Sequence, residues 1–512
     1  MPLSSRTPRT AALLAAGASV ALLAGAAPPG PATPLGVGDR LFPTLGNPGY
    51  DVRAYDISLT YKGDNSKPLD AVTRIDARAT SRLDRVNLDF SHGTVRSVEV
   101  DGERADFATG GEDLVITPAR PLLAGQPMRI TVRHTSDPMP GKEDVGWVRT
   151  KDGLAMANQA DAAHRVFPCN DHPSDKAVFT FHVNTPRAYT AVANGLPTSV
   201  TPGAGDTTDR TYRTVHPMAT ELAQVSIGRS TVLHQKGPHG MDVRDVVPTK
   251  DVKALRPWVD KTPAQLAWME NKVGRYPFEN YGVLIAEAST GFELETQTLS
   301  LFERELFVRT EYPAWYVESV MVHELAHQWF GDSVSPRTWS DLWLNEGHAT
   351  WYEALYAQET ADRPMETRLR NAYRESDGWR ASGGAPAAPK GPRPGAKISI
   401  FRPVVYDGSA LVLYALRQTI GAERFERLER EWVATHRDAT ATTADFTALA
   451  SRVAGRDLSG FFQQWLYAKK TPPMPGHPDW KSAAVQKAGD KAGDKAGDKA
   501  GQKGGQKAGH GK

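Results

Sequence analysis

The residues best suited to chemistry are two histidines and two glutamates in adjacent helical segments. His323 and His327 are four residues apart in HELAH, so both imidazoles lie on one face of a helix and can bind one metal ion. Glu324 can reach a water bound to that ion without ligating it. Glu346 follows nineteen residues after His327, and an antiparallel partner helix would direct it at the same ion. Two histidines, one glutamate and one open position are typical of a catalytic zinc site rather than a closed structural site.

The second helix of this pair carries a further candidate. Its predicted start is at Ser340, and Glu353 lies two helical turns after Glu346. Glu353 either orients a metal ligand without binding the metal itself, or it is an exposed charge on the helix. Each histidine alone could also be an ordinary polar group on a helix. The five-residue pattern is modest evidence by itself, and Glu346 at this distance makes the metal site the better hypothesis.

The elements that must position these residues fall into two halves. From about residue 50 to 232, segments such as YDVRAYDISLTYKG alternate apolar and polar residues, which predicts a large antiparallel β domain. After about residue 238, apolar residues recur at helical spacing and predict a mainly helical half, with a Gly/Pro-rich loop near 382–395. The predicted fold class is α+β, with a β domain over 45–235 and a catalytic domain with terminal helices over 236–475.

The two ends of the chain differ from its body. Residues 1–27 carry two arginines and then an apolar Ala/Gly-rich run, which predicts a secretory signal peptide; an uncleaved signal anchor is the alternative. No other apolar run is long enough to span a bilayer, so we expect no membrane span after signal removal. Residues 481–512 are a Lys/Ala/Gly/Asp repeat and predict a disordered tail. That tail is either a solvating extension or a weak contact to an anionic surface.

The composition excludes several classes of protein. The chain has 512 residues, a formal net charge of +2 and 40% hydrophobic residues, which excludes a collagen-like or wholly disordered chain. Its single cysteine, Cys169, excludes an intramolecular disulfide framework and a Cys-rich zinc module. We expect Cys169 to be a small buried apolar residue rather than a reactive thiol. The composition therefore agrees with a metal centre built only from His and Glu.

Five segments carry a resemblance to a known family. They are HELAHQWFGD (323–332), WSDLWLNEGHATWYE (339–353), RVFPCNDHPSDKAVFTF (165–181), VANG (192–195) and YPFENYG (276–282). The chain resembles the zinc aminopeptidases related to aminopeptidase N and the leukotriene epoxide hydrolase, which are gluzincin metallopeptidases. The resemblance implies a saddle-like antiparallel β domain followed by a thermolysin-like catalytic domain. It is closest to a short form without the large C-terminal helical domain of longer members, which implies a more open cleft.

The resemblance also implies roles for residues outside the metal motif. Tyr406 falls where the family has the tyrosine that stabilises the tetrahedral intermediate, and a phenol can donate a hydrogen bond to an oxyanion. Glu295 corresponds to the glutamate that binds the substrate α-amine, and Gln159 to a glutamine that helps hold the same amino end. The family's Gly-Ala-Met-Glu-Asn segment is replaced here by GFELETQ (291–297), which leaves the shape of the first substrate pocket open. Glu293 either adds a second charge there or faces solvent.

Together, these observations predict a secreted zinc aminopeptidase with one Zn²⁺ per chain. His323, His327 and Glu346 would hold the zinc. Glu324 would accept the proton of the attacking water, and Glu295 would restrict cleavage to the first peptide bond. We expect peptide substrates with a free amino terminus, no specific nucleic acid, and a monomeric chain. The alternatives are a zinc endopeptidase of the same fold and, from another class, a non-catalytic surface-binding protein.

Overall fold

The computed structural model describes residues 35–138, 145–391 and 400–483. The predicted signal peptide at 1–27 lies outside this part of the chain, as does the predicted tail after its first three residues. Among the helices in the described ranges, none is both long and apolar enough to cross a membrane.

The first half of the described chain consists of strands. They are β1 (Tyr50–Thr60), β2 (Leu69–Ala79), β3 (Val86–Asp89), β4 (Val95–Val100), β5 (Glu103–Gly110), β6 (Asp113–Thr117), β7 (Pro127–Ser136), β8 (Gly146–Arg149), β9 (Leu154–Ala157), β10 (Val178–Pro186), β11 (Thr190–Ala193), β12 (Leu196–Pro202), β13 (Thr207–Arg213) and β14 (Val225–Gly228). One ten-stranded sheet has the order β12-β13-β10-β1-β2-β7-β4-β5-β6-β3, and a four-stranded sheet has the order β11-β14-β9-β8. Buried residues alternate along β1, β2 and β7, as the sequence pattern predicts for strands with one face on a core.

The predicted antiparallel β domain contains one parallel pair of strands. β1 and β10 run parallel, with Ala54 opposite Val178. These two strands are far apart in the chain, so no tight turn between them imposes opposite directions. Alternating hydrophobicity identifies each strand but does not encode the direction of its partner.

The second half combines a small sheet with ten helices in the described residues. Its strands are β15 (Ser230–Lys236), β16 (Asp242–Pro248), β17 (Val283–Ala286), β18 (Ser300–Glu303), β19 (Ser335–Pro336), β20 (Gly384–Ala385), β21 (Ala388–Pro389) and β22 (Thr440–Ala441). Its helices are α1 (Val252–Val259), α2 (Thr262–Val273), α3 (Arg304–Val308), α4 (Ala314–His327), α5 (Trp343–Ala361), α6 (Met365–Gly383), α7 (Asp407–Ile420), α8 (Ala422–Thr435), α9 (Thr443–Ala454) and α10 (Ser459–Tyr467). The predicted α+β class, a β domain followed by a mainly helical domain, is confirmed.

A mixed sheet, β15-β16-β17-β18, lies between the β domain and the helices. The four residues of its strand β17 contribute to the cores on both sides of the sheet. Val283 and Ile285 belong to the helical core, whereas Leu284 and Ala286 belong to the core of the β domain. Because successive side chains of a strand point to opposite faces, this one strand contributes to both cores. The sheet therefore fixes the helices relative to the β domain.

Two local predictions differ from the structure. The predicted loop at 382–395 contains, in its described part, the short antiparallel pair β20 and β21. Ser340 does not begin the second motif helix: it lies in a 3-10 turn, Trp339–Asp341, and α5 begins at Trp343. The Ser340 hydroxyl accepts a hydrogen bond from Arg40 rather than capping the helix. The domain bounds at 45–235 and 236–475 stay predictions.

Helix α5 packs against both α4 and α7. A methyl group added to Gly347 would place its carbon 2.7 Å from the Cβ of Ser409 in α7. Such a distance is shorter than van der Waals contact allows, so glycine is what permits α5 and α7 to approach this closely. Gly347 directly follows Glu346, which makes this approach part of the construction of the candidate site.

We expect Gly347→Ala to lower the free energy of unfolding by about 1–3 kcal/mol, because the added methyl forces two buried helices apart. Urea unfolding monitored by tryptophan fluorescence measures this change. Gly378→Ala is the matched control: Gly378 is exposed on α6 and an added Cβ there meets no atom within 4 Å. That control should be neutral or stabilising by up to about 1 kcal/mol. Equal stability of the two variants would contradict the tight contact.

Candidate metal centre and active site

Helices α4 and α5 bring three metal-ligating atoms together. The Nε2 atoms of His323 and His327 lie 3.3 and 3.4 Å from Oε2 of Glu346. His323 also contacts Glu353, so residues earlier in α4 meet residues later in α5. This order means that the two helices run in opposite directions, as predicted. All three candidate ligands are buried.

Hydrogen bonds on the far side of each ring set the orientation of the two imidazoles. Nδ1 of His323 lies 3.1 Å from Oε2 of Glu353, and Nδ1 of His327 lies 3.1 Å from the carbonyl oxygen of Phe330. Both partners are hydrogen-bond acceptors, so each Nδ1 carries the proton and donates it. In the neutral rings the Nε2 lone pairs therefore point toward Glu346.

These residues fit a zinc ion. Oε2 of Glu346 is buried and receives no hydrogen bond from the described residues. The ligand atoms of His323, His327 and Glu346 lie within 4.8 Å of one another, and all of them present lone pairs. A buried carboxylate beside two imidazole nitrogens is unfavourable unless a positive charge, from a proton or a metal ion, lies between them. Nitrogen and oxygen donors in this number suit zinc with one coordination position left open.

The charges around His323 favour its protonated form, so a proton competes with a metal ion for this side chain. Burial lowers the pKa of His323, but its interactions with Glu346 and Glu353 outweigh burial and raise the pKa to about 9 in the metal-free chain. Burial raises the pKa of Glu346, but the charges of His327 and His323 lower it to about 2. A proton and a metal ion thus compete for the same nitrogen, and metal affinity rises with pH.

Glu353 is held by a charged network that sequence analysis does not identify. Arg368 of α6 donates from Nη1 to Oε1 of Glu353 at 2.7 Å, and from Nε to Oδ1 of Asp407 at 2.8 Å. Asp407 immediately follows Tyr406 in the chain. One arginine therefore connects the carboxylate behind His323 to the start of α7. The sequence offers no signal for Arg368, because it lies outside the motifs and its two partners meet only in the folded chain.

Tyr406 lies at the N-terminus of α7, next to the metal ligands. Its ring stacks on that of His323, with centroids 6.0 Å apart and an angle of 28° between the planes. Burial, and then the negative charges of Glu346, Glu295 and Glu324, raise the pKa of Tyr406 well above its ordinary value. The phenol therefore remains protonated and keeps a hydrogen-bond donor at the site.

Glu324 is buried on the same helix as the two histidines. Burial raises its pKa to about 8, against the opposing charges of His323 and His327. This value applies to the metal-free chain, and the positive charge of a bound metal ion would favour the ionised carboxylate.

Glu295 and Gln159 meet beside His327. Nε2 of Gln159 donates to Oε1 of Glu295 at 2.7 Å, although the two residues belong to different domains. Oε1 of Glu295 lies 3.9 Å from Nδ1 of His327. The structure thus brings together the two residues that the family resemblance places at the substrate amino end.

The loop after α4 supports these groups. Nε2 of Gln328 donates to the backbone oxygen of Glu295 at 3.0 Å and to Oδ2 of Asp332 at 2.8 Å. Gly331 has φ +135°, and a Cβ there would lie 3.3 Å from Nδ1 of His327. Gln328 and Gly331 both belong to the motif HELAHQWFGD, so the sequence identifies them, although their contacts form only in the folded chain. Cys169 is buried, as expected.

Comparison with known proteins identifies the chain at the level of family. Residues 52–222 match the description "Peptidase M1 N-terminal domain", and residues 258–465 match "Peptidase family M1 domain". The two matches follow one another in the order of the two domains described above. The chain belongs to peptidase family M1. This confirms the resemblance, and the M1 family membership agrees with the zinc-binding donor set.

Relatives of this M1 chain include enzymes and solved structures. Glutamyl aminopeptidase of Mus musculus is 26% identical, over 59% of this chain and 34% of that protein. The crystal structure of an M1 zinc metallopeptidase from Deinococcus radiodurans superposes with a TM-score of 0.73 at 27% identity, covering 86% of this chain and 98% of that one. A mutant of the same protein bound to a Tyr-Ser-Ala substrate has a TM-score of 0.72 at 27% identity, over 86% and 100%. This M1 chain spans about a third of the length of the mouse relative.

For this M1 family member we expect Glu353→Gln to lower zinc affinity about 10- to 100-fold, because a ligand histidine loses its anionic acceptor. Competition with a chromophoric chelator measures the affinity. Glu423→Gln, an exposed carboxylate on α8, is the matched control with the same loss of charge. Unchanged affinity in Glu353→Gln would show that Glu353 does not orient His323.

Proposed function

We propose that this chain is a zinc-dependent aminopeptidase that removes the first residue of peptides. The observation that carries the proposal is the position of Glu295 relative to the metal ligands. Glu295, Glu324 and His327 offer atoms within 4.8 Å of one another. One residue of an extended chain spans about 3.3–3.6 Å. A substrate α-ammonium bound at Glu295 therefore lies about one residue from the carboxylate of Glu324, so the bond beside that carboxylate is the first peptide bond.

The chemistry assigned to each group follows from its surroundings. Bound zinc supplies Lewis acidity, which polarises a carbonyl and acidifies water. Glu324 accepts the proton of the attacking water and passes it to the leaving amine. Tyr406 donates a hydrogen bond to the oxyanion that develops on the carbonyl. Glu295 pairs with the substrate ammonium, and Gln159 orients Glu295 through its amide.

The proposal also covers the location of the chain, its metal content, its substrates and its association state. We infer from the residues at 1–27 that the chain is secreted, and from the donor set that it carries one zinc ion. The substrates are peptides with a free amino terminus, in keeping with the Tyr-Ser-Ala substrate of the Deinococcus relative. A monomeric state and a weak contact of the 481–512 tail with anionic surfaces belong to the same proposal.

A panel of aminoacyl-amide reporters, with and without a chelator, tests the function. We expect turnover that a chelator abolishes and added Zn²⁺ restores. Glu324→Gln should bind zinc but lose about 10²- to 10⁴-fold in kcat, because its side chain can no longer accept a proton. Glu423→Gln serves as the matched surface control. Absence of chelator-sensitive turnover in the wild type would favour the non-catalytic surface-binding alternative.

A second variant separates an aminopeptidase from an endopeptidase. Glu295→Ala removes the anion that pairs with the α-ammonium, so kcat/KM on aminoacyl amides should fall about 100-fold or more. Cleavage of N-acetylated peptides should persist or rise, since they have no ammonium to lose. Each variant is assayed on free and acetylated forms of the same peptide. Undiminished hydrolysis of the free forms by Glu295→Ala would show that Glu295 is not the anchor.

A further inference from the structure

Glu293 and Glu295 lie on one face of an extended segment at the edge of the mixed sheet. Leu294 between them forms an antiparallel bridge with Leu301 of β18, with N–H···O distances of 2.9 and 2.7 Å in the two directions. The Leu294 side chain is buried in the core of the β domain. Since successive side chains of an extended segment alternate, Glu293 and Glu295 both project away from that core.

The surroundings of these two glutamates show which end of the segment is open. Glu295 lies beside the C-terminal end of α4, where its backbone oxygen accepts from Gln328 and its carboxylate approaches His327. Glu293 is only partly buried, whereas Gln297, two residues on the other side of Glu295, is fully buried. The segment therefore opens toward the surface on the Glu293 side, where Glu293 interacts electrostatically with Glu324.

Among the described residues, the carboxylate of Glu293 forms no ion pair. Its Oε2 accepts a hydrogen bond from the backbone N of Glu303 at 2.7 Å. Within the described ranges, no lysine, arginine or histidine forms an ion pair with it. Burial, and then repulsion from Glu324 and Glu303, raise its pKa well above the ordinary value. An approaching cation would favour the ionised form and would be held by it.

The spacing of the segment matches the spacing of an extended substrate. Two residues of an extended chain span about 6.6 Å, which is the separation along the segment from Glu295 to Glu293. A peptide whose ammonium pairs with Glu295 presents its first carbonyl to the metal. Its second residue then continues beside Glu293. The Gly-Ala-Met-Glu-Asn segment of the related aminopeptidases has alanine at this position, which offers no charge.

We propose that Glu293 determines specificity for the residue that follows the scissile bond and selects peptides with lysine or arginine there. The inference rests on the proposed aminopeptidase function and adds a substrate class to it. The selectivity is read as a ratio of kcat/KM between substrates that differ only after the first residue, because the repulsion between Glu293 and Glu324 affects all of these substrates alike. The opposing assignment is a purely structural role, in which Glu293 only anchors its segment to Glu303.

Matched peptides separate the two assignments. The peptides share their first and third residues and carry lysine, glutamine or glutamate at the second position, and kcat/KM is measured for each. In the wild type we expect lysine to be favoured over glutamine about tenfold or more. Glu293→Gln keeps an oxygen that accepts from Glu303 N, and should bring the ratio of kcat/KM for the lysine peptide to that for the glutamine peptide close to one, whatever its effect on overall turnover. Glu293→Lys should reverse the preference toward glutamate.

One control variant and three contrary outcomes separate the specificity inference from the proposed function. Glu375→Gln removes an exposed carboxylate on α6 and should keep the wild-type order of substrates. A wild type that hydrolyses aminoacyl amides but cleaves all three peptides equally would overturn the specificity inference alone. So would a Glu293→Gln variant that retains the lysine preference. A wild type without turnover of any aminoacyl amide would overturn the proposed function, and the inference with it.

Discussion

The rest of this structure depends on one buried electrostatic arrangement, in which the carboxylate of Glu346 faces the Nε2 atoms of His323 and His327. Burying three such polar groups without a cation is unfavourable, and the arrangement persists only if the groups behind them are fixed. Glu353 and the carbonyl of Phe330 fix the two rings. Arg368 then holds Glu353 in place. The candidate metal centre therefore depends on contacts among α4, α5 and α6.

The substrate side of the cleft is built on different elements and is tied to the same centre. Glu295 comes from the segment between β17 and β18, and Gln159 comes from the β domain. Gln328, directly after the second histidine, links Glu295 to α4. Lys176 of the β domain donates to the backbone oxygens of Asp332 and Ser333 at 2.7 and 2.9 Å. These bonds, together with the shared mixed sheet, hold the anchor and the metal ligands at a defined separation.

That separation distinguishes an enzyme that counts from the amino terminus from one that does not. The metal ligands and Glu324 would serve either kind of peptidase. In the proposed function, Glu295 restricts which bond can react, because it binds the substrate ammonium. The unusual segment around Glu293 places a second carboxylate two residues from Glu295 on the same face, and the proposed specificity for the second substrate residue rests on this position.

Much of the site could be predicted from the chain because helical periodicity is local. The four-residue spacing of His323 and His327 fixes their common face before any tertiary contact forms, and the motif around Glu346 supplies the third donor. The alternation of residues likewise predicts the β domain. The parallel pairing of β1 and β10 could not be predicted, since strand direction depends on a partner far along the chain. The helix start predicted at Ser340 was also wrong, because Ser340 lies in a 3-10 turn that precedes α5.

The sequence by itself determined the ligand types, their helix, and the succession of a β half and a helical half. Only the tertiary structure decided that Glu353 faces His323, that Arg368 joins it to Asp407, and that Gln159 meets Glu295. It also decided where Glu293 lies relative to Glu324. The physical reason is that these contacts depend on how helices and sheets pack across long sequence separations. A residue's type limits its chemistry, but its partners are set by packing.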